Sequence, residues 1–171
     1  MDIEITDVDG SRARLRYGAL EFDCALGKNG ITSTKREGDH ATPAGRFPLR
    51  QLYYRPDKFA KPPKCVLSTQ EMDMLDGWCD APEHELYNQY VRLPFGAGHE
   101  QLWRTDEVFI LVFMIGNNDD PVVPGAGSCI FMHVARENYA PTEGCVALAQ
   151  EDLLTLLAAI ETSTEIVIPA P

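Results

Sequence analysis

Ser128–Leu148 reads SCIFMHVARENYAPTEGCVAL. A short apolar run from Ser128 to His133 has the length and residue content of a buried strand. A polar, proline-containing loop follows. Thr142-Glu143-Gly144-Cys145 then leads into a second apolar run, Val146-Ala147-Leu148. Cys145 sits behind a glycine, where little side-chain bulk obstructs approach to sulfur. His133, twelve positions earlier, stands at the end of the preceding predicted strand. Two strand ends can bring a thiol and an imidazole into hydrogen-bond reach, and a nearby imidazole favours the thiolate that acts as a nucleophile. Glycine also lets backbone amides approach a developing oxyanion, which makes the amides of Gly144 and Cys145 candidates for that role. The bland reading stands beside this one: free cysteine is among the most buried residue types, and a single Cys–His pair is common by chance.

Outward from this segment the chain reads as β-structure. Ile3, Ile5 and Val8, then Ala13, Leu15 and Tyr17, roughly alternate with polar residues around Asp9-Gly10. That dipeptide marks a hairpin, because glycine accepts the positive φ of a tight turn. Leu20–Leu26 and Gly45–Tyr54 are further strand candidates. Val108–Ile115 (VFILVFMI) is the most apolar run and reads as a buried central strand. Ser68 and Glu71 have the spacing of a capping box and predict a helical turn. One helix is expected from about Gln150 to Glu161, where Leu153, Leu156, Leu157 and Ile160 share a face. Glu151 and Asp152 suit its first turn. A last strand is expected at Glu165–Ile168. The sum is a mainly β single domain over residues 1–171, a sandwich or barrel with one late helix.

Composition excludes several classes. The 171 residues carry 15 Lys+Arg against 26 Asp+Glu, a formal net charge of −11. A field of that sign repels phosphate backbones and anionic lipid, so neither nucleic acid nor a membrane is the expected partner. No stretch approaches the roughly 18 apolar residues of a membrane span. The chain begins Met1-Asp2-Ile3-Glu4, without a basic and apolar leader, so a cytoplasmic location is expected. Five cysteines at irregular spacing suggest neither a disulfide framework nor a zinc knuckle. Four scattered histidines lack metal-ligand spacing, so no metal and no cofactor is expected.

Two motifs carry a resemblance. His133, the loop, Thr142, Gly144 and Cys145 resemble the active-site signature of the L,D-transpeptidase catalytic domain, the YkuD domain. Thr42-Pro43-Ala44-Gly45-Arg46-Phe47 resembles the T-P-x-G-x-F motif of the same domain, with Gly27-Lys28-Asn29-Gly30 at a suitable distance before it. The order of motifs agrees, and the resemblance spans roughly Leu20 to Leu148. It implies a YkuD-like β-domain with Cys145 as nucleophile and His133 as base, acting on peptidoglycan stem peptides. Three departures bear on the acceptor. Glu143 stands where the usual pattern has a second histidine, Ala147 stands near where many members carry an arginine, and the loop after His133 is short.

Other residues admit two readings. Arg136 either grips a substrate carboxylate through a bidentate fork or is a solvated loop arginine. Trp78 and Tyr87 either wall a peptide groove or pack under a long loop, and Asn88 is placed to bond a substrate amide. Thr142 and Glu143, flanking Cys145, complete the candidate substrate contacts. His40 precedes the T-P-x-G-x-F match and is expected near the site. Stem peptides carry carboxylates, so a locally basic cleft is expected, supplied by Lys28, Lys35, Arg36 and Arg136.

The expected activity is that of an L,D-carboxypeptidase which removes D-Ala from stem tetrapeptides in murein recycling. Cys145 would attack as thiolate and form a thioester. The alternatives are an L,D-transpeptidase that passes the thioester to an amine, a non-catalytic muropeptide-binding module, and a cysteine hydrolase acting on another D-amino-acid peptide.

Overall fold

The structure is a computed structural model that describes residues 1–171. In chain order the strands are β1 (Ile3–Asp9), β2 (Arg12–Tyr17), β3 (Leu20–Ala25), β4 (Ile31–Thr32), β5 (Thr42–Pro43), β6 (Gly45–Tyr54), β7 (Thr69–Glu71), β8 (Asp76–Cys79), β9 (Tyr90–Arg92), β10 (His99–Gln101), β11 (Leu111–Ile115), β12 (Phe131–Val134), β13 (Val146–Leu148) and β14 (Glu165–Ile168). The helix α1 (Gln150–Ala159) lies between the last two.

Pairing closes the sheet. The order β11-β12-β13-β3-β2-β1-β14-β6 returns to β11, because β6 pairs with β14 through Gly45–Pro48 and with β11 through Leu49–Tyr54. The expected sandwich or barrel is therefore a barrel, and closure leaves these strands no open edge. Alternation fills it. Ala13, Leu15 and Tyr17 of β2 point inward, while Arg14 and Arg16 pair across β3 with Asp23 and Glu21 outside. Leu153, Leu156 and Leu157 of α1 join the same core. No helix is long and apolar enough to cross a membrane.

The strand β11 is buried on both faces. Leu111, Phe113 and Ile115 enter the barrel core, whereas Val112 and Met114 enter a second cluster with Tyr53, Met72, Leu102, Phe109, Phe131 and Cys145. That outer cluster is roofed by the chain between β6 and β11, which forms a small sheet of order β10-β8-β9. Phe113→Ala removes a ring that is 1% exposed. It is expected to cost about 3–5 kcal/mol, read as a lowered urea midpoint.

Four sequence expectations shift. Ser68–Glu71 forms no helical turn; Thr69–Glu71 instead pairs in parallel with Leu52–Tyr54 of β6. No apolar helical stripe follows the capping spacing there, so the sheet edge wins. The run Val108–Ile110 stays outside β11, although all three residues are buried. The strand expected from Ser128 starts at Phe131, because Cys129 adopts a left-handed φ of 54° that breaks the ladder. The helix ends at Ala159, and Ile160 turns to extended backbone to enter the core.

Candidate active site

β12 and β13 run in parallel, with Phe131 beside Cys145 and His133 opposite Ala147. Cys145 lies two residues before Ala147, so period-two alternation puts Cys145 and His133 on one face. That face is the outside of the barrel, under the roof formed between β6 and β11. Both residues line a cleft of about 760 Å³. No hydrogen bond joins them. The Cys145 thiol donates to the Cys129 carbonyl at 3.2 Å, and its sulfur accepts the Phe131 N–H at 3.4 Å.

The protonation of both groups follows from burial. The Cys145 thiol is pushed up to about 12, mainly by burial and next by the charge of Glu100. His133 is pulled down to about 4 by burial, with Arg136 and Arg104 adding to the effect. Its Nδ1 lies 2.9 Å from the Val134 carbonyl oxygen. A carbonyl only accepts, so Nδ1 carries the proton and Nε2 is left as the base. The low-pKa thiol expected from the sequence is thus replaced by a neutral thiol beside a neutral imidazole.

The loop before Cys145 is fixed by Thr142. Its hydroxyl accepts the Gly144 N–H at 3.1 Å and donates to the Cys145 carbonyl at 2.7 Å. Its backbone bonds Leu26 and Lys28. Thr142 therefore shapes the loop rather than offering a free group to a ligand. Of the two candidate oxyanion amides, Gly144 is taken by Thr142, while Cys145 N–H has no partner. Gly144 has a φ of +136°, and a β-carbon there would lie 2.9 Å from the Ala41 carbonyl oxygen, so only glycine fits. The Lys35 ammonium would lie 3.4 Å from that same β-carbon and lines the cleft.

The upstream motif supports this loop from below. The hydroxyl of Thr42, fully buried, accepts the Gly27 N–H at 2.8 Å, and Gly27 bridges to Thr142. Phe47 folds over Gly45, whose absent β-carbon would meet the ring at 2.8 Å.

Two expected substrate contacts lie elsewhere. Asn88 is buried, and its amide is fully used. Nδ2 donates to the carbonyls of Asn117 and Asn118, and Oδ1 accepts from Trp78 Nε1 and from the Cys129 N–H. Trp78 sets its edge against Phe131 at 5.7 Å. Neither lines the cleft; they bolt the roof to the segment before β12. Tyr87, fully buried, donates to Glu37.

Arg136 does line the cleft, with Arg104, which the sequence reading missed. Asp106 bridges them: it accepts from Arg104 at 2.6 and 2.9 Å and from Arg136 at 2.7 Å. The two guanidinium groups hold its carboxyl well below the usual range. Phe109 packs on His133 with ring centroids 5.0 Å apart, and the Arg104 guanidinium lies over the Phe109 ring, 5.1 Å from its centroid. The lining as a whole is not basic. Lys35, Arg104 and Arg136 face Glu37, Asp80, Glu100, Asp106 and Glu143, and Lys28 and Arg36 are outside it. Burial raises the carboxyls of Glu100 and Asp80. Arg104 and Glu100 belong to a region whose strands of three or four residues carry no alternation to read. No group of three or more His, Cys, Asp or Glu side chains is arranged to hold a metal ion.

No curated protein and no solved structure matches the chain. The family model of YkuD, the L,D-transpeptidase catalytic domain, matches residues 5–168. That span runs from within β1 to the end of β14 and takes in both motifs, and so the chain belongs to the YkuD family of L,D-transpeptidase catalytic domains.

Proposed function

We propose that the protein is a cysteine-dependent L,D-carboxypeptidase that trims D-Ala from peptidoglycan stem tetrapeptides. The observation that carries the reading is the placement of Cys145 and His133 on one face of β12 and β13, in one cleft, with Nε2 of His133 unoccupied. His133 takes the thiol proton as sulfur attacks the carbonyl that joins the third residue to D-Ala. The Cys145 amide is free to hold the oxyanion. The C–N bond breaks, His133 returns the proton to the leaving amine, and a thioester remains.

The leaving group supports the exopeptidase reading. The carboxylate of D-Ala lies two bonds from the amine that His133 protonates. Arg104 and Arg136 are the cations beside His133; the Arg104 fork is held by Asp106, while Arg136 gives Asp106 one N–H and keeps others for a substrate carboxylate. Water is the acceptor in this reading, reaching the thioester through the same cleft of about 760 Å³. Fragments of this kind occur in the cytoplasm during murein recycling, which is where we place the reaction.

Incubation with a disaccharide-tetrapeptide should release D-Ala and leave the tripeptide, read by mass spectrometry. Family membership favours a second reading, L,D-transpeptidation, and cross-linked dimers would establish it instead. Absence of any product, with no acyl adduct on Cys145, would reject both and favour a muropeptide-binding module.

A further inference from the structure

Three imidazoles line the cleft, those of His40, His99 and His133, and the reaction above uses only His133. His99 belongs to the roof strand β10 and turns its Nδ1 to the Ala97 carbonyl at 2.8 Å, whereas His40 has a backbone φ of 54°. A residue with a β-carbon is uncommon in that left-handed region, and such residues cluster at functional sites. The segment that carries His40 is seated directly on the Cys145 loop. The His40 carbonyl accepts the Asn29 N–H at 2.9 Å, Ala41 N–H donates to Asp39 at 3.0 Å, and the Ala41 carbonyl packs against Gly144. The side chain then reaches across to Glu143, whose carboxylate meets His40 Nδ1. A carboxylate accepts, so Nδ1 carries a proton, and in the neutral imidazole Nε2 is the acceptor. Glu143 is two residues from Cys145 and lines the same cleft. A second imidazole is thus held in the cleft by a carboxylate of the Cys145 loop itself.

We propose that His40 is the base that serves the acceptor in the second half-reaction, with Glu143 as its positioning residue. The inference rests on the proposed thioester chemistry. In the step, Nε2 of His40 takes a proton from the attacking water as its oxygen bonds to the thioester carbonyl carbon. The tetrahedral adduct collapses, the C–S bond breaks, and the sulfur of Cys145 leaves with the electron pair. The proton on His40 then passes to sulfur, which restores the thiol and releases the tripeptide acid. His133, buried and anchored to Val134, keeps the leaving-amine side, so the two imidazoles divide the two half-reactions.

The division is tested by rapid mixing of the full-length protein with disaccharide-tetrapeptide. In His40→Gln, one equivalent of D-Ala per enzyme should appear in a burst, steady turnover should fall about 100-fold, and intact-protein mass should show the acyl-enzyme. Glu143→Gln alters a residue whose side chain is 79% exposed, so its fold is safe, and it should show the same burst with a smaller fall. His133→Gln should show no burst. Turnover unchanged in both His40→Gln and Glu143→Gln, or burst and turnover lowered together, would overturn the inference alone. A wild-type protein that releases no D-Ala would overturn the proposed function with it.

Discussion

Cys145→Ser is expected to lower D-Ala release by about 10⁴-fold or more, the loss typical of removing a nucleophile. The fold should survive. The Cys145 sulfur makes one bond to the Phe131 N–H and one to the Cys129 carbonyl, and a hydroxyl can replace both. The loop geometry rests on Thr142 and Gly144, which the change leaves alone. What is lost is nucleophilicity. The site already disfavours ionisation, since burial pushes the thiol up to about 12. A hydroxyl is a weaker acid still, and His133 near 4 is a weak base for it. Turnover, muropeptide affinity by calorimetry and the urea midpoint should be read together. Lost turnover with unchanged affinity and midpoint fits a nucleophile. Turnover above about one hundredth of wild type would remove Cys145 from the proposed mechanism, and wild-type cellular function in Cys145→Ala would favour a binding module.

The barrel was legible because its strands obey alternation. Arg12–Tyr17 and Glu165–Ile168 carry inward apolar residues at period two, Gly45–Tyr54 slips one residue between Leu49 and Leu52, and the Asp9-Gly10 turn holds Gly10 at a φ of 58°. Closure was not legible, because it depends on β6 changing partners halfway along its length. The roof was lost to reading for a different reason. β8, β9 and β10 have three or four residues each, and their pairing is set by tertiary contacts such as the Tyr90 and Arg92 bonds to buried Asp76. The site divides in the same way. Cys145, His133 and Gly144 could be found from chain order because two adjacent parallel strands bring them together. Arg104, Asp106 and Glu100 come from the roof, and only the folded chain sets them beside His133. Asn88 shows the converse error: a polar residue near an aromatic looked like a ligand contact, but burial had already committed all of its hydrogen-bonding capacity.

The neutral resting pair gives the second large effect, a dependence on pH with a defined sign. Between about 4 and about 12 the empty cleft holds an uncharged thiol and an uncharged imidazole, so the proton must move as sulfur attacks. The acid limb of kcat/KM is therefore expected near 4, far below the ordinary histidine value of about 6.5. Alkylation of Cys145 by iodoacetamide should be slow at pH 7 and should climb well into the alkaline range. Stability follows from the same shifts. Between 6.5 and 4 the unfolded chain binds a proton at this histidine and the native chain does not, so stability falls as pH falls, by about 3 kcal/mol in full. At the other end the native chain keeps the Cys145 proton from 9.0 up to about 12 while the unfolded chain gives it up, so stability falls as pH rises. Urea unfolding at pH 7 and pH 4.5 separates the histidine from the carboxylates that also titrate in acid. Wild type should lose about 2 kcal/mol more than His133→Gln over that interval, because glutamine has no proton to bind. Equal losses would mean that His133 is solvated and charged in acid like an ordinary surface histidine. The unoccupied Nε2 would then be a feature of an open ring, and the case for a buried base beside Cys145 would fall.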